Sequence, residues 1–215
     1  LPEDFPPQRL RAVMTGFSRA LGVRCTHCHA GEEGTPLAEL DFASDANPTK
    51  QTARLMLEML GTINEDYLDH VEPSGPGRVN MWCHTCHRGQ ARPMTLGEDL
   101  SETYAEAGAD GAVARYEDLR ERFFGRGSFD FQDEGPLNSL GYAALEEGHH
   151  EDAIKLFRLN AEQFPESANV WDSLAEAYMT AGQNETAVVY YQKSLGLDPG
   201  NANAAAMLRK LRAGQ

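Results

Sequence analysis

The chain has 215 residues, 41% hydrophobic and 24% charged, which suits one or two packed domains and excludes a mainly disordered polypeptide. Nineteen Lys and Arg stand against 33 Asp and Glu, a formal net charge of -14 that repels phosphate backbones, so nucleic acid is excluded as a natural partner and a basic protein surface fits better. No apolar run approaches the ~18 residues of a membrane-spanning helix, so no transmembrane segment is expected, and the opening Leu1-Pro2-Glu3-Asp4 has neither the basic nor the apolar stretch of an export signal.

Leu10, Val13, Met14, Phe17 and Leu21 recur at helical spacing and Gly22 offers a stop, which predicts an amphipathic helix from Arg9 to Leu21. It leads directly into Cys25-Thr26-His27-Cys28-His29. Asn47-Pro48 then reads as an N-cap with proline at the first helical position, and Leu55, Met56, Met59, Leu60, Ile63 and Tyr67 carry an apolar face onward. A second helix is expected to about Leu68, weakened by Gly61 inside it. Ser74-Gly75-Pro76-Gly77 predicts a turn before Cys83-His84-Thr85-Cys86-His87.

The two CxxCH segments use all four cysteines of the chain. CxxCH is the attachment signature of c-type haem: both thiols add to the porphyrin vinyl groups and the following histidine ligates the iron. The expected cofactors are two haem c groups, anchored by Cys25, Cys28, Cys83 and Cys86 with His29 and His87 as proximal ligands. His27 and His84 lie inside the loops and are directed away from the metal. A four-cysteine zinc site is the main competitor, but its pairs usually stand about 15 to 20 residues apart and here the gap is wider. A thioredoxin-like pair needs alternating apolar strands, which the helical pattern lacks. Covalent haem attachment implies export, so a periplasmic or extracellular location with the signal peptide removed is expected.

Sixth ligands in an electron-transfer haem are methionine or histidine. By chemistry alone Met14, Met56, Met59, Met81 and His70 are candidates. Met14 through His29, Phe42-Ala43-Ser44-Asp45, Thr49-Lys50, Ala53-Arg54-Leu55-Met56, Ile63-Asn64 and Cys83 through Gly89 closely resemble the cytochrome c subunit of photosynthetic reaction centres, over roughly residues 8 to 95. That subunit carries four haems in two pseudosymmetric halves, and this chain resembles one dihaem half. The resemblance implies Met14, eleven residues before Cys25, as the distal ligand of the first haem. It implies Met56 for the second, leaving Met59 as a packing residue. His70 matches a family histidine that ligates a haem of the other half; here it reads as a surface residue, a ligand within the chain, or a ligand donated to a second copy.

The C-terminal third repeats with a period of 34 residues: Leu140 pairs with Leu174, Gly141 with Ala175, Ala144 with Tyr178, Ala153 with Ala187, Phe157 with Tyr191 and Pro165 with Pro199. The pattern resembles tetratricopeptide repeats, helical hairpins that must stack to bury an apolar face, with turns near Gly148 and Gly182 and Trp171 at the usual aromatic position. Ala204 to Arg212 reads as a capping helix, and Ala112 to Phe124 as the second helix of a degenerate preceding unit. Gly125 to Gly135 reads as an ordered connector, and His149 and His150 as surface residues on a turn.

The expected fold is therefore all-α: a dihaem c-type cytochrome module over 1–97, a helical connector with a degenerate repeat over 98–135, and a tetratricopeptide stack with its cap over 136–215. The expected function is electron transfer to redox partner proteins, with protein contacts through the repeats and no catalytic residues. Competing arrangements are a homo-oligomer or multihaem filament built through the repeats and His70, a dihaem peroxidase with an open iron position, and a docking module for a redox partner.

Overall fold

Residues 5–71, 77 and 79–213 are described by a computed structural model, in which the chain divides into two units, Leu1–Pro93 and Met94–Gln215. Most of the expected turn at Ser74–Gly77 lies outside the described residues. The described residues contain no β-strand, only an isolated antiparallel bridge between Ala30 and Asp41. No described helix is long and apolar enough to cross a membrane.

In the first unit, helix α1 spans Pro7–Leu21 and ends where the sequence places its stop: Gly22 takes a left-handed φ of 68° and its N–H meets the Ser18 carbonyl. A side chain at Gly22 would collide with the carbonyl of Gly89. Helix α2 spans Pro48–Thr62, and the Asn47 side chain accepts the Thr49 N–H at 3.0 Å as N-cap. The regular helix stops six residues before the expected Leu68. It widens into a π turn over Ile63–Tyr67 and tightens into a 3₁₀ turn over Leu68–His70. The reason is local: Asn64 donates its side-chain amide to the Leu60 carbonyl at 2.9 Å, a bond that competes with the helical ladder. A short helix, α3, spans Cys83–His87.

The second unit opens with α4, Leu96–Phe123, set off by a reciprocal capping box between Thr95 and Glu98. Gly108 breaks it, with φ 67° and ψ -169°. Arg115 grips Asp99 with two hydrogen bonds of 2.6 and 2.8 Å. Sixteen residues of straight helix would separate those groups by about 24 Å, so α4 folds back on itself at Gly108. The preceding unit is a full hairpin, and its first half, 96–107, is a helix that the apolar periodicity did not announce. The chain boundary at Pro93 accordingly falls before the expected 97, and residues 98–135 fold with the repeats.

Helices α5 (Gly135–Glu146), α6 (His150–Gln163), α7 (Ala168–Thr180) and α8 (Asn184–Leu197) form the two expected hairpins, and α9 (Ala202–Ala213) caps them. Gly148 and Gly182 make the intervening turns with φ of 80° and 76°. One apolar core runs through the unit, from Leu100 and Tyr116 of α4 through Leu140, Phe157, Leu174 and Tyr191 to Leu208. The connector contributes Phe129 and Phe131, which pack edge-on against Phe123 and Tyr116 at 5.4 and 5.7 Å. Trp171 donates its indole N–H to the Pro165 carbonyl at 2.8 Å and stacks on Tyr190. This unit also holds 21 of the 33 acidic residues against 10 of the 19 Lys and Arg, so most of the negative charge lies here.

Candidate haem site

The first CxxCH is wound into one turn. Cys25–His27 form a 3₁₀ turn, and the N–H groups of Cys28 and His29 reach the Cys25 carbonyl at 3.2 and 3.0 Å. Residues three and four apart share a helical face, so Cys25, Cys28 and His29 lie along one side of the turn. The second CxxCH is α3 itself. Trp82 precedes it as N-cap, donating its N–H to Thr85 Oγ1 at 3.0 Å while its carbonyl accepts the Thr85 N–H at 2.9 Å. Arg88 ends the turn with a left-handed φ of 47°. The segment after the second turn is bonded to the end of α1, which leads into the first, because Gly89 donates its N–H to the Ala20 carbonyl at 2.8 Å. That bond explains the glycine at position 22 as a requirement of close approach as well as of φ.

Both histidines suit iron. The Nδ1 of His87 lies 2.9 Å from the Gln90 carbonyl. A carbonyl only accepts, so Nδ1 carries the proton and Nε2 keeps the lone pair that a metal needs. The Nδ1 of His29 is buried without a hydrogen-bond partner. Burial first, and then the Lys50 charge, hold the His29 pKa below the ordinary histidine value against the opposing Phe42 backbone. None of the four cysteines is in a disulfide; Cys25, Cys28 and Cys83 are half-buried and Cys86 is exposed. Burial pushes the Cys28 thiol above its usual pKa. Among the described residues no three His, Cys, Asp or Glu groups converge on one metal point.

The Phe42–Asp45 segment has a mechanical role that sequence reading did not assign. Lys50 donates to the carbonyls of Phe42, Ala43 and Ser44 at 3.0, 3.1 and 2.8 Å and pairs with Asp45 at 3.0 Å. Arg54 grips the same carboxylate with two bonds of 2.8 and 2.7 Å. Arg54 and then Lys50 hold the Asp45 carboxyl well below the usual carboxylate range. The cluster fixes the backbone that carries Phe42, whose ring meets the His29 imidazole edge-on at 4.9 Å. The signal in the sequence was the spacing 45, 50, 54 around an N-cap, which places one acid and two bases on a single helical entry.

The N-cap of α2 is bonded to the first turn, and the π turn after α2 to the residue two before the second. Asn47 donates its side-chain amide to the Thr26 and His27 carbonyls at 3.3 and 3.1 Å. Asn64 accepts the Met81 N–H at 2.7 Å and donates to the Met81 carbonyl at 3.0 Å, two residues before Cys83. Met14 is half-buried in α1, as is Met81. Met56 and Met59 are 43% and 47% exposed on α2, so burial does not separate the expected ligand from the expected packing residue. His70 is exposed at the end of its 3₁₀ turn, and His27 and His84 take no part in the contacts of His29 and His87 described above.

The apolar surface of this unit fits a large planar group. Its buried hydrophobic residues, among those described, are Ala20 and Leu40, whereas Leu55, Leu57, Phe42 and Trp82 are exposed. Burying such side chains is favourable by roughly 1.5–3 kcal/mol each, and a porphyrin face is an apolar surface of the right kind. Donors, thiols and apolar cover together fit haem c.

Residues 30–119 match the family described as photosynthetic reaction centre cytochrome C subunit, and residues 144–211 match the tetratricopeptide repeat. Residues 30–119 are thus similar to a reaction-centre-type cytochrome c domain and residues 144–211 to a tetratricopeptide-repeat domain, which supports a fusion of the two. The cytochrome match takes in the second CxxCH, Met56 and His70 and begins just after His29, so the first CxxCH rests on its own motif and Met14 on the sequence resemblance around it. The photosynthetic reaction center cytochrome c subunit of Roseobacter denitrificans is 31% identical over 109 residues, covering 49% of this chain and 27% of its own length. That of Rubrivivax gelatinosus is 26% identical over 107 residues, covering 45% and 27%. The chain thus spans about a quarter of the length of these relatives. Among solved structures, the first tetratricopeptide domain of Spaghetti (RPAP3) bound to an HSP90 peptide has a TM-score of 0.39 at 18% identity, covering 55% of this chain and 89% of that one. MamA has a TM-score of 0.38 at 19% identity, covering 54% and 63%.

Proposed function

We propose that the cytochrome domain holds two haem c groups and passes electrons through them in an exported protein, periplasmic or extracellular, while the repeat domain holds partner proteins. The observation that carries the reading is the pair of compact CxxCH turns, with the segment after the second bonded at 2.8 Å, Gly89 to Ala20, to the helix that leads into the first. Cys25 and Cys28 would hold one haem and Cys83 and Cys86 the other, with His29 and Met14, and His87 and Met56, on the irons. Each haem, when bound, supplies one reversible electron at its iron. The chain's part is to orient the imidazoles and cover the ring faces. With methionine on both distal sides no coordination position is open for substrate, so the protein acts as a carrier and has no catalytic residues. The acidic repeat domain favours partners with a basic face.

The exposure of His70 favours a second arrangement, in which copies of the chain associate through the repeats as an oligomer or filament and His70 reaches an iron of a neighbour. Haem content decides the primary reading. Intact mass and haem quantitation of the matured chain are expected to give two haems, and Cys25→Ala with Cys28→Ala to give one. A chain that matures with a single haem, or with zinc instead, overturns it.

A further inference from the structure

Helix α2 is flanked by two asparagines, Asn47 as its N-cap and Asn64 in the π turn that follows it; Asn47 bonds to the first CxxCH turn and Asn64 to Met81, two residues before the second. Asn47 does two things with one side chain: its Oδ1 accepts the Thr49 N–H at 3.0 Å and hydroxyl at 2.8 Å, while its amide reaches the carbonyls of Thr26 and His27 inside the first turn. Those carbonyls lie between Cys25 and Cys28, so the bonds fix the arc that separates the two thiols. Asn64 pairs with both backbone groups of Met81 at 2.7 and 3.0 Å, imitating a rung of antiparallel sheet, and anchors itself to the Leu60 carbonyl. Met81 leads through Trp82 into the α3 N-cap, so this pairing sets where the second turn starts. Met56 lies between the two clamps on the same helix.

We propose that Asn47 and Asn64 are positioning residues, one for each CxxCH turn, and that α2 is the strut that holds both turns in register with the methionines it carries. The proposal rests on the reading that the turns hold haem. Neither asparagine touches a thiol or a ring nitrogen; each acts through the backbone of the turn it grips. A side-chain amide suits both places because each site asks one residue to accept and donate at once across several ångströms: ionised Asp and Leu have no donor, and the Ser hydroxyl, which can do both, is too short to reach both partners.

The test uses the full, haem-loaded chain and two variants that keep local shape: Asn47→Ser, which retains an N-cap oxygen but is too short to reach the first turn, and Asn64→Leu, which matches the volume and removes the bonds to Met81 and Leu60. Haem content, the electron paramagnetic resonance g-values and the midpoint potential of each iron are recorded, with far-ultraviolet circular dichroism to confirm the fold. Both variants are expected to keep two haems, and each to move the signal of one iron while leaving the other in place, the two variants acting on different irons. Asn64→Asp, which keeps the acceptor for the Met81 N–H and loses the donors, is expected to fall between Asn64→Leu and the parent. The proposal is overturned if neither signal moves, if both variants move the same signal, or if both signals move together in each. Should Asn64→Leu fail to mature, Asn64→Asp takes its place in the same comparison; should Asn47→Ser fail, Asn47→Asp, which keeps the cap oxygen and loses the donor to the Thr26 and His27 carbonyls, takes its place. A parent chain that carries no haem would instead remove the functional reading on which the proposal stands.

Discussion

The alanine that replaces Gly141 should unsettle the repeat domain although alanine is the better helix former. Gly141 sits on α5 against α6, and a Cβ built on it would lie 2.6, 2.7 and 2.9 Å from three atoms of the Phe157 ring. Phe157 is fully buried and its ring meets Tyr142 edge-on at 5.0 Å, so the ring has nowhere open to move. Overpacking of this kind costs about 1–3 kcal/mol, and three close contacts place it in the upper half of that range. The gain in helix propensity returns at most about 1 kcal/mol, leaving a net loss of about 1–2 kcal/mol. At roughly 4 °C per kcal/mol for a domain of this size, the repeat-domain transition should fall by about 4–8 °C in thermal unfolding followed by circular dichroism. Gly196→Ala is the control: nothing lies within 4 Å of its Cβ, and it should gain about 0.5–1 kcal/mol. Adding Phe157→Leu to Gly141→Ala should cost less than the two changes summed, because the leucine vacates the space. A Gly141→Ala chain that melts at or above the parent would refute the close-approach reasoning.

Gly22→Ala should destabilise the cytochrome domain by roughly 1–2 kcal/mol from its left-handed φ alone, and by more through the collision with Gly89; an unchanged thermal transition at the haem absorption would count against that contact. Met14→Ala and Met56→Ala are each expected to abolish one methionine-to-iron charge-transfer band in the near infrared and lower one midpoint potential, whereas Met59→Ala should leave both bands intact. His70→Ala should leave spectra and particle mass unchanged in the monomeric carrier, and change both if His70 ligates between copies. The Asp45 carboxyl is held below its ordinary pKa by Arg54 and Lys50, so its contribution is complete above the unfolded value near 3.9 and fades as pH falls below it. The stability gap between the parent and Asp45→Asn, from denaturant titrations, should therefore be constant above about pH 4 and narrow below; a gap that widens in acid contradicts the ionic cluster.

The sequence announced what local chemistry decides. Gly22 as a left-handed stop, Asn47-Pro48 as a helix entry, and the 34-residue echo from Leu140 to Pro199 each state a backbone requirement within a few residues or one repeat. The first half of α4 was silent because residues 96–111 are rich in Ala, Glu and Gly, and its fold-back depends on Asp99 meeting Arg115 across a glycine, a tertiary contact with no periodic signature. The end of α2 was overextended for the same reason: Ile63 and Tyr67 keep the apolar spacing, while Asn64 turns its amide to Met81, seventeen residues on. At the site, the cysteines and proximal histidines are legible as a motif. The distal methionines are not, since Met56 and Met59 are equally exposed along one helix and only resemblance chooses between them.

Axial ligation tests the central claim most directly. Near-infrared magnetic circular dichroism with electron paramagnetic resonance on the oxidised, purified chain, beside its particle mass, should show two low-spin irons of His/Met type, assigned to His29 with Met14 and His87 with Met56. A high-spin iron with an open position, or one haem only, would contradict the two-haem carrier, and a bis-histidine iron in an oligomer would contradict the assignment of Met56 in favour of His70 from a second copy.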